Sequence, residues 1–214
     1  MQKRRSKSLI ALLVAVIVTL LCGCSSEMSA DDAKSYTQSI LDAAYKGEFK
    51  DYIKWTGSTE DEAKEWYESN IETSIDLGGF NSLGLSDELL AKYKKSYKTL
   101  LSETKYEMGN VKEDDNDGYT VEVNVYPFTG LNGILDETKN NLDIESLAGK
   151  SDQEINEAYY SKMQERMDKK LESPTYGDAQ TVTIQVAPDG DGVYSISESD
   201  LSQIDAAMFP ADGF

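Results

Sequence analysis

Seven consecutive residues, Tyr119-Thr120-Val121-Glu122-Val123-Asn124-Val125, alternate between apolar and polar side chains. Successive side chains of a β-strand point to opposite faces, so this alternation predicts a strand with one buried and one solvated face. A strand that faces water on one side is typical of antiparallel sheets. The segment therefore indicates a sheet that covers a hydrophobic core on one face only.

Three further strands are predicted around this segment. Upstream, Tyr106 and Met108 alternate with polar residues, Gly109 marks a β-bulge, and the polar turn 113–118 makes a hairpin with the central strand. Downstream, the turn 188–192 joins a third strand to a fourth. The alternating apolar residues of these two strands are Val182, Ile184, Val186, Tyr194 and Ile196. The pattern predicts a small antiparallel sheet of about four strands.

The remaining segments have apolar residues at helical spacing behind capping residues. The helix that follows the 151–154 capping box is long and ends before Pro174. A short last helix begins near Ser197 or Ser199. Residues that can cap the other three helix starts are Ser29, Thr59 and Ser86.

These elements predict an α+β fold, with N-terminal helices packed on the sheet and the long helix placed before the last hairpin. The aromatic side chains of the helices follow the apolar periodicity and are predicted to be core. Segment 128–149 is ambiguous, with a loop and a short helix around 134–142. Because no repeat or low-complexity linker interrupts residues 31–214, this stretch is predicted to be one acidic domain.

The first 23 residues predict a lipoprotein signal peptide. An apolar run of about 13 residues, 9–21, is shorter than the roughly 20 residues that span a bilayer. It is followed by a lipobox, Leu21-Cys22-Gly23-Cys24, in which cleavage after Gly23 leaves Cys24 as a lipidated N-terminus. An uncleaved anchor helix and a secreted chain with a free Cys24 thiol are the alternatives. The basic residues before the run are Lys3, Arg4, Arg5 and Lys7.

Cys24 is therefore the predicted lipid-attachment residue. Its thiolate can form the thioether to a diacylglyceryl group, and two acyl chains such as palmitate anchor a protein stably where one chain binds marginally. Cys22 leaves with the leader, so the mature chain has no free thiol and no disulfide. Residues 24–30 form a short tether, in which the six residues after Cys24 reach about 20 Å when fully extended. We expect the domain at the extracytoplasmic face of the cell membrane, exposed at the cell surface.

The chain is strongly acidic. Its 39 Asp and Glu residues against 21 Lys and Arg residues give a formal net charge of −18, and removing the basic leader makes the rest more acidic. Such a surface repels nucleic acid and anionic headgroups, so polyanion binding is disfavoured and no nucleic-acid partner is expected. The charge is typical of solubility at a cell surface; a sharper interpretation is attraction of a cationic partner or of divalent cations.

Histidine is absent from the sequence. Its absence excludes Ser-His-Asp triads, Cys-His dyads and histidine-ligated zinc. Two acidic turns, around Gly118 and Gly190, invite a calcium interpretation. Aligning Gly118 with the invariant EF-hand glycine puts Asn124 where a bidentate glutamate is required. Aligning Gly190 or Gly192 puts Gln185 or Ala187 at the first ligand position, so the second turn fails as well. Both are predicted to be hairpin turns, and no metal site, cofactor or catalytic residue is assigned.

The residues that follow the lipobox include Ala33-Lys34-Ser35-Tyr36, Ile40-Leu41-Asp42-Ala43-Ala44-Tyr45-Lys46-Gly47-Glu48-Phe49, Tyr52, Thr56, Gly57, Glu62 and Ala63. They resemble those of uncharacterised Gram-positive surface lipoproteins, and the resemblance covers the leader and roughly the first helical third. It implies an extracytoplasmic α+β domain, in some members likened to a cystatin or nuclear-transport-factor-2-like cone of helices over a curved antiparallel sheet. Since those families have no established reaction, lipidation of Cys24 is the one role it implies.

Two classes of function stay open at this point. The first is a non-enzymatic binding or interaction module that holds a small ligand, a peptide or an envelope protein; it predicts a pocket lined by tyrosines with few ionisable groups. The second is a carboxylate-dependent hydrolase of cell-wall or environmental glycans. It predicts two carboxylates about 5–10 Å apart in a cleft beside Trp55 or Trp66. A coat protein without a ligand is a third possibility.

Overall fold

The computed structural model describes residues 28–114, 117–143, 145–190 and 192–210. A π-helical turn, Asp42–Lys46, continues the first helix, and short 3₁₀ turns lie at Phe80–Ser82 and Glu145–Leu147. In chain order the helices and strands are α1 (Ala30–Leu41), α2 (Tyr52–Thr56), α3 (Glu60–Leu77), α4 (Asp87–Ser102), β1 (Lys105–Glu113), β2 (Tyr119–Tyr126), α5 (Ile134–Asn140), α6 (Asp152–Leu171), β3 (Gln180–Pro188), β4 (Tyr194–Ile196) and α7 (Glu198–Met208).

The strands pair in the order β1-β2-β3-β4, and each neighbouring pair is antiparallel. The odd-numbered residues of β2 from Tyr119 to Val125 are buried, and the residues between them are half-exposed. The pairing register shifts between Met108 and Val111, which confirms the bulge predicted at Gly109. A Cβ on Gly109 would lie 2.9 Å from the Cβ of Glu122, so the bulge brings two backbones too close for a side chain.

Helices cover the buried face of this sheet. Helix α1 contacts β1 and β2, while α7 contacts β2 and β3. A second group of helices extends outward, because α4 packs against the π-helical turn and α6 packs against α4 and α5. The buried apolar side chains form one hydrophobic cluster. The α+β class is therefore confirmed, with the long helix α6 preceding the β3–β4 hairpin.

The predicted helix starts are confirmed by their caps. The short helix expected around 134–142 is α5. Helix α2 was not predicted, because five residues are too few to show a helical period. Side-chain oxygens accept hydrogen bonds from backbone amides in the capping boxes Ser29–Asp32, Thr59–Glu62 and Ser151–Glu154, and in the simpler caps at Ser86 and Ser197.

One end of the sheet holds the start of the described chain. The hydroxyl of Tyr119, the first residue of β2, donates to the carbonyl oxygen of buried Met28. At the same end the Tyr194 hydroxyl donates to the carbonyl oxygen of Asp117 at 3.0 Å. Met28, which lies in the predicted tether, therefore packs against the sheet, and α1 begins at Ala30, one residue before the predicted start of the domain.

The predicted leader and lipid-attachment site, with Gly23 and Cys24, lie outside the described residues. Within the described part of the chain, no helix is both long enough and apolar enough to span a bilayer.

Candidate functional site

A cleft of about 460 Å³ opens where α5 and the end of α6 meet the segments that leave the sheet. This volume is within the range of small-molecule sites, about 300–1,000 Å³. The cleft is ionic and hydroxylated in character, whereas such sites are ordinarily lined by apolar groups. Its lining residues are Thr129, Gly130, Asn132, Glu137, Arg166, Lys169, Lys170, Ser173 and Thr175.

Helix α6 supplies three cations to the cleft. Arg166, Lys169 and Lys170 are spaced i, i+3 and i+4, so their side chains share one face of the helix. The helix is held in place by apolar residues that it buries in the core, Met163, Met167 and Leu171. The three positive charges therefore project together from one anchored element.

The opposite wall of the cleft is formed by the segment that follows β2 and the segment that precedes β3. The Thr129 amide donates to the Thr175 carbonyl oxygen at 2.9 Å, and the two threonine hydroxyls lie 3.0 Å apart. Gly130 lies against the buried ring of Phe128, where an added Cβ would come within 2.7 Å of a ring carbon. Glycine is thus required for this wall to close on the ring and to present small polar groups to the cleft.

Glu137 on α5 offsets part of this positive charge. Its carboxylate lies 3.0 Å from Lys170 Nζ and 3.5 Å from an Arg166 guanidinium nitrogen. The hydrogen bond from Lys170 lowers the pKa of Glu137, so the carboxylate is ionised at neutral pH. The Glu137 side chain is 44% exposed, against 22% for Arg166 and 24% for Lys170. Three cations and one carboxylate leave the cleft with a positive excess in an acidic protein.

This arrangement can hold an anion. A guanidinium presents donors in a planar fork that matches two oxygens of a carboxylate or phosphate, and ammonium groups add positive charge without that geometry. Hydroxyls of Ser173 and of the two threonines can supply further donors. The exposed carboxylate of Glu137 is the group that an incoming anion would have to displace or accommodate.

The tyrosines predicted to be core are largely buried, including Tyr36, Tyr45, Tyr93 and Tyr97. The cleft is therefore not the tyrosine-lined pocket expected of a binding module. Nor does it match the hydrolase prediction, since Glu137 is the one carboxylate among its lining residues.

Both tryptophans of the chain pack on tyrosine rings instead of lining this cleft. Trp66 stacks on Tyr52 with ring centres 5.5 Å apart, and Trp55 meets Tyr36 edge-on at 5.9 Å. The hydrolase hypothesis gains no support from this part of the molecule.

The two acidic turns are hairpin turns, as predicted. The Asp114 amide donates to the Gly118 carbonyl oxygen at 2.9 Å, and the Gly118 amide donates to Asp114 Oδ1 at 3.1 Å. In the other turn, the Val193 amide donates to Asp189 Oδ1 at 2.9 Å. Across the residues that the structure describes, no group of three or more His, Cys, Asp or Glu side chains is placed to hold a metal ion.

Apart from the cleft, a hydrogen-bonded pair of polar side chains, Tyr45 and Asp205, is buried in the core. The Tyr45 hydroxyl, on the π-helical turn, donates to Asp205 Oδ1 of α7, and both residues are buried. Beside it, the Tyr106 hydroxyl donates to Asp42 Oδ1 at 2.6 Å. Burial raises the pKa of Tyr45 well above its usual value, and the nearby Asp205 raises it further, so Tyr45 stays protonated and donates.

The sequence interpretation missed the cationic residues of the cleft and the buried Asp205. One signal was present: Arg166 is the only arginine after Arg5, and two lysines follow it at helical spacing. Asp205 likewise stands four residues after Leu201 and one after Ile204, on the apolar face of the predicted helix.

Comparison with known proteins gives one structural likeness. No family model matches the chain, and no curated protein matches it. The fold is similar to the crystal structure of a "putative lipoprotein (ycdA)" from Bacillus subtilis, with a TM-score of 0.55 and 17% sequence identity. The match covers 83% of this chain and 56% of that one, so the chain spans little more than half of the Bacillus structure. At this identity the likeness establishes a shared fold.

Proposed function

We propose that the chain is a lipid-anchored extracytoplasmic binding module whose cleft takes a small anionic ligand. Cys24 carries the lipid in this proposal, and the described domain carries the cleft. The cleft at α5 and α6 is the observation on which the proposed ligand rests.

Two observations support the anchored location. The leader, the lipobox and Cys24 follow one another in the order that lipoprotein processing needs. The fold is also similar to that of a protein described as a "putative lipoprotein". Lipidation, an extracytoplasmic position and a cystatin-like or nuclear-transport-factor-2-like relationship remain part of the proposal.

The convergence of Arg166, Lys169 and Lys170 supports the anionic ligand. In a chain of net charge −18, a surface patch with three cations and one carboxylate stands out against its surroundings. Like charges held close together repel one another, and an anion bound among these three cations would offset that repulsion. Two positive charges in excess correspond to a dianion such as phosphate or a phosphate monoester.

The test is a calorimetric titration of the mature lipidated protein, held in uncharged detergent micelles, with inorganic phosphate. Arg166→Gln removes the planar donor fork and should weaken binding about tenfold, the equivalent of a lost charge-assisted hydrogen bond. Arg166→Lys keeps the charge without the fork and should fall between this variant and the wild type.

Lys162→Gln is the matched control. It changes the net charge equally on the same helix, but Lys162 lies outside the cleft lining and pairs with Glu165 at 2.9 Å. We expect an affinity within about twofold of the wild type. Equal affinities for Arg166→Gln and Lys162→Gln would refute the cleft as the binding site.

Lipidation has a separate test. Labelled palmitate should enter the wild type in cells and be absent from Cys24→Ala, with the variant recovered in the medium or as uncleaved precursor. Equal labelling of the two proteins would overturn the assignment of Cys24.

A protein partner in the envelope is a further part of the proposal and has its own measurement. In-cell crosslinking of the anchored protein, with Cys24→Ala as the control, should recover such a partner only from the anchored form. Recovery of the same partner from both forms would argue against a membrane-dependent interaction.

A further inference from the structure

The cationic cleft and the N-terminal end of the described chain lie at opposite ends of β2. Met28 is held by Tyr119, the first residue of that strand. Thr129, in the cleft wall, follows the last residue, Tyr126, by three positions. An eight-residue strand separates its two ends by about 24 Å at roughly 3.4 Å per residue.

The attachment point of the lipid is close to Met28 along the chain. Cys24 precedes Met28 by four residues, which span about 14 Å at most when fully extended. This reach is shorter than β2. A domain held at Cys24 therefore keeps its Met28 end near the bilayer, and the cleft can meet the headgroups only if the whole domain lies on its side.

The distance between the two ends also decides whether the electrostatic field of a bilayer reaches the cleft. The field of charged headgroups decays within a Debye length, about 8–10 Å in physiological salt. The cleft, farther away than this length, lies outside the field of the membrane when the domain stands upright.

We propose that the cleft opens on the membrane-distal end of the anchored domain and takes a phosphate-bearing solute from the extracytoplasmic side, not a phosphate headgroup of the bilayer that holds the protein. This inference rests on the proposed lipidation of Cys24 and on the proposed binding of anions. It adds the source of the ligand and the direction from which the ligand enters.

The orientation is tested with single fluorescent labels on the lipidated protein in vesicles. The mature chain has no other free thiol once Cys24 is lipidated, so Gly190→Cys and Glu172→Cys each give one labelling position. Gly190 lies in the β3–β4 turn with open space around it, and Glu172 ends α6 beside the cleft residue Ser173. A spin label on lipid headgroups should quench the Gly190 probe several-fold more than the Glu172 probe. Equal quenching, or stronger quenching at Glu172, would overturn the proposed orientation.

The source of the ligand is tested by phosphate binding to the lipidated protein on two kinds of vesicle, one uncharged and one rich in anionic phospholipid. We expect phosphate affinities that agree within about twofold, because the cleft lies beyond the screening length. If phosphate binds the wild type more weakly on anionic than on uncharged vesicles, and Arg166→Gln shows no such difference between the vesicles, headgroups occupy the cleft. That result would overturn the inference.

The two proposals fail in different ways. If phosphate does not bind to the protein in micelles, the proposed anion binding is wrong, while the quenching measurement still reports the orientation. If both probes are quenched alike but phosphate binds in an Arg166-dependent manner, the cleft binds anions and the membrane-distal placement is wrong.

Discussion

Two carboxylates of this protein contact hydrogen-bond donors in opposite settings. Asp205 is buried in the core and accepts a hydrogen bond from the protonated Tyr45. Glu137 is 44% exposed at the rim of the cleft and contacts Arg166 and Lys170. The first pair is buried beside Tyr97 of α4 and Tyr106 of β1, whereas the second is open to solvent and to solutes.

The difference separates a structural role from a ligand-binding role. In the core, removal of one partner leaves a polar group without water to replace it, which costs about 1–3 kcal/mol. At the surface, ion pairs contribute about 0–1 kcal/mol, because water and salt compete for the same groups. The cleft can therefore exchange Glu137 for an external anion at little cost in stability, and the core pair cannot be exchanged at all.

The largest expected effect is on the core pair. Tyr45→Phe removes the hydroxyl that donates to Asp205 and should lower the free energy of unfolding by about 2 kcal/mol. For a chain of this size we expect the melting temperature to fall by about 4–8 °C. Thermal or urea unfolding measures it.

Tyr159→Phe is the matched control for this change, because it removes the same hydroxyl from a partly exposed residue on α6. We expect its stability to stay within about 0.5 kcal/mol of the wild type. A Tyr45→Phe protein as stable as Tyr159→Phe would mean that the Tyr45–Asp205 contact contributes nothing to folding.

A smaller effect is expected for a substitution in the cleft, and it is an effect on phosphate affinity instead of stability. Glu137→Gln removes the internal negative charge from Arg166 and Lys170 and should raise the affinity for inorganic phosphate about two- to fivefold, the scale of an exposed ion pair. In this variant, phosphate no longer competes with the Glu137 carboxylate for Arg166 and Lys170. Phosphate titration measures the gain, and unfolding should change by less than about 0.5 kcal/mol.

Glu165→Gln controls for the loss of one negative charge on the neighbouring helix, since Glu165 pairs with Lys162 outside the cleft. A Glu137→Gln protein that loses as much stability as Tyr45→Phe, or binds phosphate no better than Glu165→Gln, would erase the distinction between the two regions.

The smallest effect is a dependence on pH next to the core pair. Burial on its own would raise the pKa of Asp42, but hydrogen bonds from Lys46, Tyr106 and Gln38 outweigh it and lower the pKa below its usual value. Because the folded pKa is the lower one, Asp42 contributes stability above the unfolded pKa. That contribution disappears as the pH falls through the folded value.

Asp42→Asn should therefore be less stable than the wild type at neutral pH, and the two proteins should converge as the pH drops below about 4. Urea unfolding from neutral pH to below pH 4 measures the convergence. The control is Asp61→Asn, which makes the same substitution at an exposed residue. Parallel pH profiles for Asp42→Asn and the wild type would contradict the contribution of Asp42.

Much of the fold could be predicted because its signals are local. The alternation in β2, the bulge at Gly109 and the caps at Ser29 and Ser151 each depend on residues a few positions apart. Helix α2 could not be predicted, because five residues are too few to show a helical spacing of apolar side chains. The two acidic segments could be predicted as hairpin turns because Asp, Asn and Gly favour turns through local backbone contacts.

The site could not be predicted in the same way. The net charge of the whole chain disfavoured polyanion binding and gave no indication of a site for a small anion, yet Arg166, Lys169 and Lys170 form a cationic cleft on one helix face. An average charge says nothing about where individual charges meet. The prediction of a tyrosine-lined pocket was wrong for a related reason. The tyrosines at helical spacing fill the hydrophobic core and are not available to line a cleft.

The sequence alone was sufficient to predict most of the helices and strands, the half-buried sheet, the capped helix ends and a lipobox with lipid attachment at Cys24. Each of these follows from neighbours along the chain, where periodicity and capping act. The folded structure, in contrast, brought Glu137 to Arg166 and Lys170 in a cleft walled by Thr129 and Thr175. It also placed Asp205 against Tyr45, 160 positions apart. The physical reason is that both sites depend on electrostatic and hydrogen-bonding contacts through space, which packing of the core brings about and no local pattern encodes.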